Sequence, residues 1–65
     1  MLLRNETTGE IVEAFIWPVK DEASRFRFAV KMQGEVHEIR DLIDWQLAEG
    51  WDCERKALKM EGIRV

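Results

Sequence analysis

The chain has 65 residues, which bounds it to one small domain, 1–65, and a domain of that size buries only roughly 60% of its unfolded surface. Hydrophobic content of 46% and charged content of 35% fit a folded domain rather than a disordered tail, and no apolar run nears the ~20 residues a bilayer-spanning helix needs. The net charge of −3 argues against a basic nucleic-acid footprint, and the single cysteine, Cys53, leaves no internal disulfide and points to a reducing, cytoplasmic setting.

Residues 2–4 are short and apolar-leaning. "NETTG" at 5–9 collects turn formers and ends in a glycine able to take positive φ. "EIVEAFIW" at 10–17 is rich in β-branched and aromatic residues and reads as a strand. Pro18 brings no backbone donor, so it should end that ladder or sit at its edge. "RFRFAVKM" at 25–32 is the clearest strand. It puts Phe26, Phe28, Val30 and Met32 on one face and Arg25, Arg27, Ala29 and Lys31 on the other. Gln33 and Gly34 form a turn. From Glu35 or Asp41 to Glu49 the pattern favours a helix, with Asp41 as N-cap and Gly50 as its stop, and "EVHEI" at 35–39 either opens it or forms a strand before it. Residues 53–61 lean helical through Arg, Lys, Ala, Leu and Met, with Gly62 as terminator and an extended end. The expected fold is α+β, a small antiparallel sheet of two to three strands packed by one or two helices.

Two addresses in this plan are odd. At 100° per residue, Val36, Ile39, Ile43 and Leu47 form one stripe, and Trp45 falls roughly 140° away beside Glu38, Asp41 and Glu49. Residues 35–54 hold seven acids and one base, Arg40, so that block carries −6. Trp45, Glu38, Asp41 and Glu49 are therefore the expected partner-binding patch, an acidic helix face with a tryptophan anchor. The plainer alternative is a solvated face with Trp45 covered by the C-terminal segment. Trp51, just past Gly50, is expected to pack back on the last helical turn. The second oddity is residues 11–17, where Val12, Ala14 and Ile16 occupy one face and Ile11, Phe15 and Trp17 the other. Both faces are apolar, so the one away from the helix needs a cover. A second helix, a second copy or a partner would serve, and Phe15 and Trp17 are the expected self-association residues.

No catalytic, metal or cofactor constellation stands out. The four glycines are scattered, one His and one Cys make no zinc set, and nothing orients His37 toward Cys53. The expectation is no enzyme, no cofactor and no membrane association. Nucleic acid is the weaker alternative partner: "RFRF" interleaves cations and aromatics, but strand geometry sends them to opposite faces. That alternative would use Arg25, Arg27 and Lys31, with Arg55 and Lys56.

"IVEAFIW", Ile11–Trp17, resembles the "VIEAFQW" opening of a group of short phage-encoded proteins. The resemblance covers seven residues and assigns no role to any of them. It implies a mobile-element origin and an accessory protein that binds host machinery, such as a defence system, as an inhibitor or regulator. Residues and resemblance together lead to a non-catalytic protein-binding or regulatory module.

Overall fold

In the computed structural model, which describes residues 1–64, five strands and one α-helix form a single α+β unit. The strands are Leu2–Asn5 (β1), Ile11–Lys20 (β2), Phe26–Met32 (β3), Glu35–His37 (β4) and Trp45–Glu49 (β5). A 3₁₀ turn, Ile39–Asp41, precedes β5, and the helix α1 is Asp52–Glu61. The sheet order is β4-β3-β2-β1-β5, and every strand pairing is antiparallel. This corrects the expected two to three strands; of the one or two helices expected, one is present.

The β2 strand organises the sheet. Its first residues, Ile11–Glu13, pair with β1, and Ala14–Lys20 pair with β3. Pro18 sits opposite Phe28, where β2 has a neighbour on one side only, so its missing N–H can face the open side. The turn before β2 is closed by Asn5, whose Oδ1 accepts the Thr7 and Thr8 N–H groups at 2.9 and 3.0 Å. Between β3 and β4 only Gln33 and Gly34 intervene, both at positive φ (53° and 80°). That is the backbone of a two-residue hairpin turn, whose twist matches the flanking strands.

The core lies between one face of the sheet and α1. Leu3, Ala14, Val30 and Leu58 are fully buried, with Met32, Leu42, Leu47 and Ile63 nearly so. Each such aliphatic contributes about 1.5–3 kcal/mol by leaving water. Val12, Ile16, Ile39 and Trp45 pack against this cluster from its margins. Helix α1 starts where Glu54 reaches back, its Oε1 accepting the Trp51 N–H at 2.7 Å. It ends at Gly62, left-handed at φ 100°. Ile63 then buries itself, and Arg64 forms a parallel bridge to Gln46.

The expected helix over residues 35–49 is absent, and the reason is pairing. Leu3, at the centre of the core, needs a neighbour on both sides; Val12 lies opposite on one and Leu47 on the other. Trp45 and Leu47 alternate onto the core face as a strand requires. Val36 meets Lys31 through the tight turn at Gln33–Gly34. Asp41 ends a 3₁₀ turn rather than capping a helix, and Gly50 precedes α1 rather than stopping a helix before it. The helix over 53–61 is present, lengthened by one residue at its start.

Candidate functional site

Strand geometry divides the sheet residues between two sides. Val12, Ala14, Ile16, Val30 and Met32 look toward α1. The opposite side, here the outer face, carries Ile11, Glu13, Phe15 and Trp17 from β2. Across β3 lie Lys31 beside Phe15 and Ala29 beside Trp17, and Val36 of β4 flanks Lys31. No described element covers this side. Ile11 is 57% exposed, Phe15 55%, Val36 47% and Trp17 41%. With side chains of this size, the bare apolar area comes to roughly 400 Å². Glu13 between Ile11 and Phe15, and Lys31 between Phe15 and Val36, interleave this apolar area with charge.

Charges border the strip. The Lys31 ammonium lies 4.3 Å from the centroid of the Trp17 ring, a cation–π contact that holds the Lys31 stem flat on the face. Glu13 lies on the other side of Phe15, next to Leu2 of β1. At that end β5 carries a bulge: Leu3 pairs with Leu47 but Leu2 pairs with Glu49, so Ala48 is the extra residue. The bulge turns Glu49 toward the side of Leu2 and Glu13. Neither Lys31 nor Glu13 is among the ion pairs formed by the described residues.

The four residues expected as one partner-binding patch do not share a helix face, because that helix does not exist. Trp45 is half-buried against the core and lines a shallow depression with Ile39, Leu42 and Ile63. Glu38 follows β4 and bonds the Arg27 guanidinium, beside a neighbouring depression lined by Phe28, Arg40 and Glu61. Asp41 is exposed at the end of the 3₁₀ turn. Glu49 lies at the other end of β5 from Trp45, in a groove with Leu2, Glu13, Trp51 and Glu54. Glu38 and Trp45 thus border adjoining depressions, and Glu49 is separated from both. The acidic block of 35–54 is spread over β4, the 3₁₀ turn, β5 and the start of α1.

Trp51 is 77% exposed rather than packed on a preceding helical turn, since it is the N-cap of α1. Phe15 and Trp17, expected as self-association residues, do share one open face. Sequence reading places Ile11 on this face with Phe15 and Trp17 but misses Val36. The helical period puts Val36 on a core stripe, whereas the Gln-Gly turn is the signal that pairs it with β3.

Arg27 and Glu38 are the pair with shifted titration. The hydrogen bond from Arg27 holds the Glu38 carboxyl below its ordinary value of 4.5, with desolvation opposing it and the charges of Arg27 and Arg40 adding to it. The same bond raises the Arg27 guanidinium. Arg25 lies 3.5 Å from Asp21. His37 is on β4 with Nε2 3.8 Å from Glu35, and Cys53 is exposed on the first turn of α1. Among the described residues, no group of three His, Cys, Asp or Glu side chains is placed to hold a metal ion, and no helix is long and apolar enough to cross a membrane. No protein-family model matches the chain, and comparison with curated proteins and with solved structures returned no match.

Proposed function

We propose that the chain is a non-catalytic protein-binding module whose contact surface is the outer face of the sheet. The observation that carries this reading is that Ile11, Phe15, Trp17 and Val36 are all left bare on the side away from α1. Covering it removes apolar area from water at about 25 cal/mol per Å². Aromatic residues at the centre of such a strip are the usual anchors of protein interfaces. The similarity of Ile11–Trp17 to short phage-encoded proteins supports an accessory role directed at a host protein, with inhibition or regulation as its effect.

Nucleic acid remains the second reading, because the outer face combines Trp17 and Phe15 with Lys31. Base stacking on a sheet uses such aromatics. Two of the three strand cations expected for it are engaged elsewhere, Arg25 with Asp21 and Arg27 with Glu38, and Glu13 places a negative charge on the same face. The balance favours a protein.

The test compares affinity capture from bacterial lysate by the wild-type chain and by Phe15→Ser, with and without nuclease. A captured protein is then purified and its binding reconstituted. Phe15 lies near the centre of the strip, so its truncation should weaken binding by about 2 kcal/mol or more, roughly thirtyfold. Equal capture and equal affinity with the variant would remove the outer face as the contact surface. Retention of nuclease-sensitive material alone would move the reading to nucleic acid.

A further inference from the structure

We infer that the occupant of the outer face is a second copy of this chain, docked through a two-fold axis that passes beside Phe15. The inference rests on the reading of that face as a protein-contact surface and names its partner. Its first support is the arrangement of charge. On this face Lys31 lies on the β3 side of Phe15, and Glu13 lies two residues back along β2. Neither is among the intrachain ion pairs of the described residues. A two-fold interface must be self-complementary, so that residue i of one copy meets residue j of the other and j meets i. One cation and one carboxylate flanking a central aromatic meet that requirement. A two-fold beside Phe15 brings each Lys31 to the Glu13 of the opposite copy and sets the two Phe15 rings near each other. A partner of unrelated shape would not require this symmetry.

The second support is area. Two strips of roughly 400 Å² supply about 800 Å² of apolar surface to the contact. Interfaces are about 57% apolar overall, so the expected total is near 1,400 Å². That falls within the roughly 1,200–2,000 Å² of specific stable complexes. The rim needed to reach it is present, with Arg4 held to Gln46 at 3.1 Å and Glu49 beyond Leu2. The short core points the same way, because domains this small gain stability by associating.

Sedimentation equilibrium of the full chain, from low micromolar to near-millimolar concentration, tests this. The expected result is a monomer–dimer equilibrium for wild type. Lys31→Glu and Glu13→Lys should each raise the dimer dissociation constant about tenfold or more, since each puts like charges together twice. The double reversal should restore it to within about threefold, because the pair is rebuilt with its signs exchanged. Phe15→Ser should give monomer. Far-UV circular dichroism matching wild type shows each variant folded. A wild-type chain that stays monomeric throughout overturns the inference. So does a dimer that is indifferent to both single reversals. A monomeric wild type whose captured partner is lost with Phe15→Ser overturns the second copy as occupant and leaves the contact-surface reading standing. Failure of Phe15→Ser to affect either assay overturns both.

Discussion

Arg27 shows how one side chain settles what a face can do. Its strand position would send it to the outer face with Lys31, yet its guanidinium is bonded to Glu38 just past β4. Among the described residues, Lys31, resting on Trp17, is the cation near the centre of the face that forms no ion pair, which suits a matched protein contact better than a polyanion. The pair also has a pH signature. The Glu38 carboxyl is held below its ordinary value of 4.5, chiefly by the Arg27 hydrogen bond. A carboxyl lowered in the folded state contributes stability that is present above that ordinary value. The contribution is lost as pH falls through the lowered one. Arg27→Met removes the bond and keeps most of the stem. It should be less stable than wild type near neutral pH, and the gap should close as pH falls below about 4.5. Urea midpoints at about pH 7 and about pH 3 measure it. A gap of the same size at both would mean that Arg27 acts through packing rather than charge.

At the scale of elements, the β3–β4 hairpin decides which residues reach the outer face, because its turn sets Val36 opposite Lys31. Its first turn residue, Gln33, holds φ 53°, which costs a residue with a side chain roughly 1–2 kcal/mol unless that side chain suits the left-handed region. Asparagine suits it better, and Asn-Gly is the preferred pair for this turn. Gln33→Asn should therefore raise unfolding stability by about 0.5 kcal/mol, read as a higher urea midpoint at unchanged slope. An unchanged or lowered midpoint would show that the turn tolerates glutamine without strain. The same hairpin shows what could be read before folding and what could not. The strands read at 10–17 and 25–32, the 33–34 turn and α1 with its Gly62 stop carry local signals (alternation, paired turn formers, helix formers), whereas the run of β2 past Pro18 to Lys20 does not. β1, β4 and β5 do not. Residues 2–5 are too few to show a period, and β4 is three residues long. Ile39, Ile43 and Leu47 recur at helical spacing although Trp45–Glu49 pairs as a strand. Their structure comes from partners distant in sequence: Leu3 with Leu47, Met32 with Glu35. So the acidic helix face, which depended on a local period, dissolved. The doubly apolar strand 11–17 kept its meaning, because alternation along one strand needs no partner to be seen.

For the whole molecule, the question is whether the bare strip serves folding or contact. The cluster of Leu3, Val30, Leu58 and their neighbours lies wholly on the α1 side, and the outer face adds nothing to it. Ala29 is the exception, buried beside Trp17 and Lys31, so Trp17 has a part in covering the sheet. Phe15 and Val36 have no such duty. Threonine at both positions gives the β-branched shape a strand favours while reducing the apolar area, most of all at Phe15. Surface changes away from core and caps stay within about 0.5 kcal/mol. At low protein concentration the Phe15→Thr/Val36→Thr variant should therefore unfold in urea within about 0.5 kcal/mol of wild type. As concentration rises the two should part. Wild type gains stability by mass action when a second copy binds only the folded chain, and the variant, unable to dimerise, stays where it was. Urea midpoints followed by circular dichroism across a concentration series supply both halves. A variant much weaker even when dilute would make the strip part of the folding core. Midpoints independent of concentration for both chains would leave the strip to a partner of another sequence. Parallel curves at low concentration that diverge only for wild type would separate the two roles of the sheet, with one side holding the fold together and the other joining copies.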